Sequence, residues 1–379
     1  MKPLNSSARE CLKLFRRQYL QLTSLDTLAF PSPDYLRNES FQSLLYGSIF
    51  KPGVLEYPPK DRYQLRVLKE LVLRIEKSVA NPEEDEVSDE LLSHLGVLLA
   101  SPIQPEPTSI QQKSYVSYTL PVDREFLQGQ GESLPFQGEA TVTLLESRSL
   151  ISASGTTGLR TWEAALHLGA YLSLSPKGRD FVRGKRVLEL GAGTGFLSIL
   201  CAKHLDSEQV LATDGDPGLV EALETNFLLN GLGNNCEKIG ASVLKWGWAL
   251  MGGAIEIRGE GHQWDVILGA DILENDIGVA DHGMAQTYDS AVVPYLVSTL
   301  RDLFDVFPRA EVLISATIRN ADTFEAFTSG CRTFKFGIED IVFQQKPFPE
   351  QQGLFYSTAT PIRILRISRP GRMEDPWAI

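Results

Sequence analysis

Hydrophobic positions in the first hundred residues repeat every three or four residues, which is the spacing of an amphipathic helix. In ARECLKLFRRQYLQL, residues Leu12, Phe15, Tyr19 and Leu22 share one face, and RYQLRVLKELVLRIEKSV and DELLSHLGVLLAS continue the pattern. The proline-rich stretch SPIQPEPTS then interrupts it. We therefore predict a helical N-terminal region over 1–110 and a second domain over 111–379.

The pattern changes in the second region. SYVSYTLPV and EATVTLLES alternate polar and apolar residues, which predicts two strands of a hairpin. From Lys185 onward, short apolar runs such as RVLEL, QVLATD, DVILGAD and EVLISAT alternate with helical segments. This rhythm predicts an α/β fold, with a mainly parallel sheet covered by helices on both faces.

Composition and charge narrow the functional classes. The 379 residues are 43% hydrophobic and 22% charged with a net charge of −12, which argues against a nucleic-acid partner. Four widely separated cysteines show no CxxC spacing, and the histidines are scattered, so we expect neither disulfides nor a metal site. The sequence shows no signal-peptide core and no apolar run of about 20 residues, the length that a membrane span requires. We therefore expect a cytoplasmic protein without a membrane partner.

A glycine-rich loop follows the first predicted strand of the sheet. VLELGAGTGFLSIL carries Glu189, Gly191, Gly193 and Gly195 in the pattern E-x-G-x-G-x-G. A dinucleotide-binding fingerprint requires its third glycine where Phe196 stands, and a phosphate-binding P-loop requires a Gly-Lys-Ser/Thr ending that is absent here. Both pyrophosphate-binding interpretations are weakened.

Two carboxylates suggest another ligand. Asp214 ends the second strand of the sheet, where a carboxylate binds ribose hydroxyls in related folds. Glu189 lies two positions before the first glycine and suits a cationic group such as the ammonium of an amino acid. A ribose, an ammonium and no phosphate together indicate S-adenosylmethionine. The alternatives are a tight turn without a ligand and, for Asp214, a helix-capping carboxylate.

Several motifs occur in the order found in a known family. GLRTWEAALHLGAYL, VLELGAGTGFLSIL, VLATDGDPGLVEALETNFLLNG, LKWGW and WDVILGAD resemble the seven-β-strand protein-lysine methyltransferases, in particular those that modify eukaryotic elongation factor 2. The resemblance extends to the helical N-terminal region. It implies a class I, Rossmann-like methyltransferase domain, S-adenosylmethionine as cofactor, elongation factor 2 as protein substrate, and a monomer.

The resemblance also implies roles for individual residues. Trp162 would line the cofactor site, the glycine loop would pass under the methionine portion, Asp214 would hold the ribose, and Trp246 would lie at the adenine, with Trp248 as a competing candidate. Ala270 would face the transferred methyl group. The full cofactor-binding set is Trp162, Glu189, Gly191, Ala192, Gly193, Asp214, Trp246 and Ala270.

The predicted catalytic residues are Asp271 and Tyr288. Family members continue from the fourth strand as Ala-Asp-Val/Ile-x-Tyr, whereas here GADI is followed by LENDIGVADHGMAQ and only then by TYDSAVVPYL. Removing 273–286 restores the family pattern, so we predict an insertion or retained intron sequence there, whose excision preserves cofactor affinity. Alignment without an insertion would place Glu274 at the tyrosine position.

Other functions fit parts of the same pattern. The chain could methylate another protein or a small molecule, or bind the cofactor as a non-catalytic interaction module. A nicotinamide oxidoreductase fits less well because of Phe196. Trp162 could be an ordinary core tryptophan, and Asp271 could cap local backbone rather than contact the substrate amine.

Overall fold

The computed structural model describes residues 6–81, 85–101, 113–120, 139–147, 157–233, 236–247, 263–273 and 292–369. The chain divides into two compact units. The first comprises Met1–Ser147 and Pro349–Phe355, and the second comprises Arg148–Phe348 and Tyr356–Ile379. The sequence-based boundary at residue 110 stays a prediction, because residues 102–112 lie outside the described residues.

The first unit contains α1 (Ser6–Leu20), α2 (Pro33–Leu36), α3 (Glu39–Leu45), α4 (Asp61–Ser78) and α5 (Asp89–Ala100), with a π-helical turn at Tyr46–Phe50. The sequence predicted α1, α4 and α5 as individual helices, but not α2, α3 or the π-helical turn. The apolar faces of all these helices form one cluster in which Leu12, Phe15 and Tyr19 of α1 are completely buried. Burial of these faces is what stabilises helices of this length, since isolated ones are marginal in water.

The predicted hairpin is present in the first unit. Strands β1 (Ser114–Thr119) and β2 (Thr141–Glu146) pair antiparallel, with Val116 opposite Leu144. Val116 and Leu144 are fully buried, and the next pair, Ser117 and Thr143, is buried as well with its hydroxyls hydrogen-bonded at 2.9 Å, so residues on both faces of the hairpin are buried.

The second unit is built on a seven-stranded sheet. Its order is β5-β4-β3-β6-β7-β9-β8, with β9 antiparallel to both of its neighbours and the other pairs parallel. The strands are β3 (Arg186–Leu190), β4 (Gln209–Asp214), β5 (Ile239–Val243), β6 (Val266–Ala270), β7 (Glu311–Thr317), β8 (Gly337–Ile341) and β9 (Ile362–Ser368). The predicted α/β fold is confirmed.

Helices accompany the strands of this sheet. They are α6 (Glu163–Leu174), α7 (Pro176–Val182), α8 (Phe196–His204), α9 (Pro217–Leu229), α10 (Val292–Val306) and α11 (Ala321–Thr333). The sequences of the central strands are nearly continuous apolar runs, because helices cover the sheet and bury both faces of these strands. The strand order reverses next to β3, where β4 pairs on one side and β6 on the other. Ligands of open α/β sheets bind at such a reversal, beyond the carboxyl ends of the strands.

Candidate active site

The glycine loop connects β3 to α8 at this reversal. Gly191, Gly193 and Gly195 have φ angles of +64°, +52° and +80°, which side chains rarely adopt. A Cβ on Gly191 would lie 2.7 Å from Ile272 Cγ2, and one on Gly193 would lie 3.0 Å from the carbonyl oxygen of Gly158. Only glycine fits at these positions, so the backbone itself forms the surface of the loop.

Asp214 holds the loop from the end of the neighbouring strand β4. Its Oδ2 accepts a hydrogen bond from the Gly193 N–H at 3.0 Å, and its Oδ1 accepts one from the Asp216 N–H at 3.1 Å. Burial raises the pKa of the Asp214 carboxyl, and these backbone donors oppose the rise. The carboxylate therefore fixes the loop while remaining in the wall of the adjacent cavity.

Glu189 lies under the same loop. Its side chain is 3% exposed, and its Oε2 accepts hydrogen bonds from the Ser198 N–H at 2.9 Å and from the Ser198 hydroxyl. Burial raises the pKa of Glu189 to about 7, although the Ser198 donors favour the ionised form. The carboxylate binds the first turn of α8, and its contact with a ligand ammonium stays a prediction.

A cavity of about 400 Å³ opens at the carboxyl ends of β3, β4 and β6. Its walls include apolar side chains of Leu219, Leu244 and Tyr295. Nine of the residues selected from the sequence line it: Trp162, Glu189, Gly191, Ala192, Gly193, Asp214, Trp246, Ala270 and Asp271. The fold therefore brings the predicted cofactor-binding residues and one predicted catalytic residue to one place.

Trp162 stands at the N-cap of α6, at the cavity wall. Its indole Nε1 donates to the Thr157 carbonyl oxygen at 3.0 Å. The guanidinium groups of Arg160 and Arg319 lie 4.8 Å and 5.1 Å from its ring centre. Glu163 joins the two arginines, accepting from Arg160 Nη2 at 3.2 Å and from Arg319 Nη2 at 3.0 Å.

Asp271 follows β6 and has a left-handed backbone, with φ of +50°. Its side chain is 5% exposed. Oδ1 accepts from the Thr317 N–H at 2.8 Å, while Oδ2 accepts from the Thr317 hydroxyl at 3.0 Å and from the Ala164 N–H at 3.2 Å. Arg319 Nη2 lies 3.6 Å from Oδ2. Burial raises the pKa of Asp271, against the opposing effects of Arg319 and the hydrogen bonds.

Comparison with known proteins identifies the family. A family profile described as "Lysine methyltransferase" matches residues 149–329. Protein-lysine N-methyltransferase EFM3 of Chaetomium thermophilum is 43% identical over 352 residues, which cover 93% of this chain and 96% of the relative. The chain belongs to the lysine methyltransferase family.

Other relatives of the methyltransferase carry related names. EFM3 of Saccharomyces cerevisiae is 30% identical over 62% of this chain and 67% of the relative. Human protein-lysine N-methyltransferase EEF2KMT is 26% identical over 92% of this chain and 96% of the relative. The methyltransferase is therefore an S-adenosylmethionine-dependent enzyme that modifies lysine side chains of a protein, as the sequence predicted.

The cavity of the methyltransferase fits this cofactor. Gly191 and Gly193 form a side-chain-free surface on which a ligand can lie against the backbone. The carboxylates of Asp214, Glu189 and Asp271 suit a ligand that carries a ribose, an ammonium and a positively charged sulfonium. Leu219, Leu244 and Trp246 give the cavity apolar surface of the kind that an aromatic base such as adenine requires. The volume is within the range of about 300–1,000 Å³ that is usual for small-molecule sites.

Sequence reasoning missed part of the site. Glu163, Thr317 and Arg319 surround Asp271 and Trp162 without having been selected. Thr317 ends β7 and Arg319 follows it, in the phrase ATIRN beside the strand that carries Asp271. The rule that ligands bind at the carboxyl ends of neighbouring strands could have pointed to both residues.

Some predicted residues of the methyltransferase lie outside the described part of the chain. Tyr288, Trp248 and Glu274 are among them, as is nearly all of the segment proposed as an insertion. Their roles stay predictions. Within the described ranges, no group of three or more His, Cys, Asp and Glu residues could hold a metal ion. No helix in those ranges is long and apolar enough to span a membrane.

Proposed function

We propose that the methyltransferase modifies a lysine of eukaryotic elongation factor 2, acting as a monomer in the cytoplasm. The observation that carries the proposal is the extent of similarity to human EEF2KMT, whose abbreviated name denotes elongation factor 2. The family profile matches 149–329, but the similarity to EEF2KMT spans 92% of this chain. The similarity therefore extends over the helical first unit, and a shared catalytic domain alone would not account for that extent.

Cofactor binding is assigned to the walls of the cavity. Gly191, Ala192 and Gly193 would support the methionine portion, Asp214 would accept the ribose hydroxyls, and Trp246 would lie at the adenine. The aromatic ring of Trp246 is near the loop, with Cζ2 3.4 Å from the position that a Cβ on Gly191 would occupy. Trp162 and Ala270 would close the end of the cavity where the methyl group is transferred.

The reaction requires a neutral lysine amine aligned with the methyl group. The bound cofactor supplies that methyl group on a positively charged sulfonium. Free lysine has a pKa of about 10.4, so the amine must lose its proton before it can react. Removal from water beside the positively charged sulfonium favours the neutral form of the amine. Most of the rate acceleration comes from holding the reactants in line at near-attack distance.

In this proposal Asp271 would orient the amine. A carboxylate has about four acceptor sites, and Thr317 and Ala164 use three of them. Oδ1 accepts one bond from a described residue and retains a lone pair for an amine N–H. Because Thr317, Ala164 and Arg319 hold the carboxylate in one orientation, it acts as a fixed acceptor rather than as a strong base.

The test is mass spectrometry of purified elongation factor 2 after incubation with the methyltransferase and S-adenosylmethionine. We expect methyl groups on one lysine of elongation factor 2, and none with a variant that carries Asp214→Ala at a cofactor concentration limiting for that variant. The same incubation with a whole-cell extract is the matched comparison. Methylation of a different protein there, with none on elongation factor 2, would contradict the proposed substrate.

A further inference from the structure

The charged side chains around the cavity are unevenly distributed. Among the described lining residues, negative charges come from Glu189, Asp214, Asp216 and Asp271, and positive charges come from Arg160 and Lys245. Lys245 follows β5 and precedes Trp246, on the side assigned to the adenine. The other cation, Arg160, comes from the segment that leads into α6.

The segment that carries Arg160 lies between the glycine loop and Asp271. At its beginning, the Gly158 carbonyl oxygen approaches Gly193 so closely that a Cβ there would lie 3.0 Å away. At its end, Trp162 begins α6, whose Ala164 N–H donates to Asp271. Arg160 therefore lines the part of the cavity that extends from the middle of the loop toward the methyl-transfer end.

The guanidinium of Arg160 is held in place by its neighbours but uses only part of its hydrogen-bond donors. Its Nη2 donates to Glu163 Oε1 at 3.2 Å, and its Cζ lies 4.8 Å from the ring centre of Trp162. Glu163 is itself held from the other side by Arg319. A guanidinium has five N–H donors, and among the described residues only Glu163 accepts from Arg160. The side chain is 28% exposed, so donors remain for a ligand.

The methionine portion of S-adenosylmethionine carries one negative group, its α-carboxylate. The carboxylates in the cavity wall repel such a group, and a planar guanidinium matches it with two parallel hydrogen bonds. We infer that Arg160 binds the α-carboxylate of S-adenosylmethionine. Arg319 and Glu163 hold Arg160 on the face of Trp162, which places this contact beside the methyl-transfer end.

The experiment compares two ligands by isothermal titration calorimetry on the full chain: S-adenosylmethionine and its decarboxylated analogue, which keeps the sulfonium and the amine. A charge-assisted contact of this kind predicts that the wild type prefers S-adenosylmethionine by about 10- to 100-fold. Arg160→Met abolishes the preference by weakening S-adenosylmethionine alone. Arg160→Gln, which removes the positive charge but keeps a polar side chain, also lowers the preference toward one and serves if Arg160→Met folds poorly.

Lys245→Met is the matched control, because it removes the other positive side chain of the described cavity wall. It changes the affinities for both ligands by the same factor and leaves their ratio at the wild-type value. The inference is overturned if the wild type binds both ligands equally, a measurement that needs no variant. It is also overturned if the Arg160 variants keep the wild-type ratio, since the carboxylate would then be held by backbone N–H groups of the glycine loop.

Discussion

At the scale of single residues, Asp214 has one observed role and one proposed role. It anchors the glycine loop through the Gly193 N–H, and it presents a carboxylate to the cavity where a ribose is expected. The two roles are compatible because a carboxylate can accept hydrogen bonds from protein and ligand at the same time. The assignment can be tested by removing the carboxylate.

Asp214→Ala is expected to weaken S-adenosylmethionine binding by about 1.5–3 kcal/mol, the range for a hydrogen bond to a charged group. Calorimetric titration measures the change. Asp216→Ala is the control, because the Asp216 side chain caps α9 through the Gly218 N–H, and its loss should lower stability more than affinity. Wild-type affinity in a folded Asp214→Ala protein would show that Asp214 does not bind the ribose.

Glu189 makes stability depend on pH. Its folded pKa of about 7 exceeds the ordinary value of 4.5, so the folded state binds the proton more tightly than the unfolded state. The contribution of Glu189 to the free energy of unfolding is therefore fully present below pH 4.5 and is lost as the pH rises through 7. The shift corresponds to about 3 kcal/mol across this window, since one pKa unit is worth about 1.4 kcal/mol.

Glu189→Gln removes this titration while preserving the shape of the side chain. In urea unfolding without cofactor, the variant should gain about 3 kcal/mol relative to wild type between acidic pH and pH 8. Comparing the difference between the two proteins cancels the contributions of Asp214, Asp271 and other groups that both contain. Parallel stability curves for the two proteins would contradict the raised pKa.

At the scale of secondary-structure elements, Asp271 connects two strand ends and the beginning of a helix. It directly follows β6, accepts hydrogen bonds from Thr317 at the end of β7, and accepts one from Ala164 in the first turn of α6. A helix N-terminus favours a negative charge, which adds to the hydrogen bonds. The left-handed backbone of Asp271 is held in place by these contacts, in keeping with the tendency of strained residues to lie at functional sites.

Substitutions of Asp271 separate its structural contacts from its role toward the amine. Asp271→Ala should lower the free energy of unfolding by about 1–3 kcal/mol, because it leaves buried N–H groups without an acceptor. Asp271→Asn retains one oxygen acceptor and tolerates the left-handed conformation. It should therefore lose less stability than Asp271→Ala and keep cofactor affinity, but lose turnover. Thermal unfolding and methylation kinetics give the two readouts, and wild-type turnover in Asp271→Asn would restrict Asp271 to a structural role.

At the scale of the whole molecule, the chain leaves the second unit at Phe348, contributes Pro349–Phe355 to the first unit, and returns. Gln21, which directly follows α1, binds this segment through both the nitrogen and the oxygen of its side-chain amide. Its Nε2 donates to the Phe355 carbonyl oxygen, and its Oε1 accepts from the Phe355 N–H at 2.9 Å. Arg17 Nη1 adds a bond to the Gln352 carbonyl oxygen at 2.8 Å.

Gln21→Ala should release this segment, since both backbone groups of Phe355 lose their partner at a cost of about 1–3 kcal/mol. Limited digestion with a glutamate-specific protease should cut faster after the exposed Glu350 than in wild type. Gln42→Ala is the matched control, because Gln42 is also a buried glutamine that binds backbone groups, but its partners are Leu36, Glu86 and Ser88 rather than residues of Pro349–Phe355. Equal acceleration in both variants would indicate general destabilisation instead.

The sequence by itself determined the features that depend on local periodicity and local chemistry. Residue spacing was sufficient for α1, α4 and α5, the hairpin and the alternation of strands and helices, because side chains return to one face at a spacing that differs between helices and strands. The glycine loop and Asp214 could also be selected, since a strand, a loop without side chains and a helix must follow one another along the chain.

Only the tertiary structure decided which distant groups meet. Arg319 and Glu163 are separated by 156 positions, and Asp271 and Ala164 by 107, yet they form one network around Trp162. No local pattern encodes these contacts, because they arise from strand order and from the docking of α6 beside the ends of β6 and β7. The same holds for Pro349–Phe355, which joins the first unit although it lies between β8 and β9 of the sheet in sequence. Burial and the need to satisfy backbone groups, rather than position along the chain, decide where such segments lie.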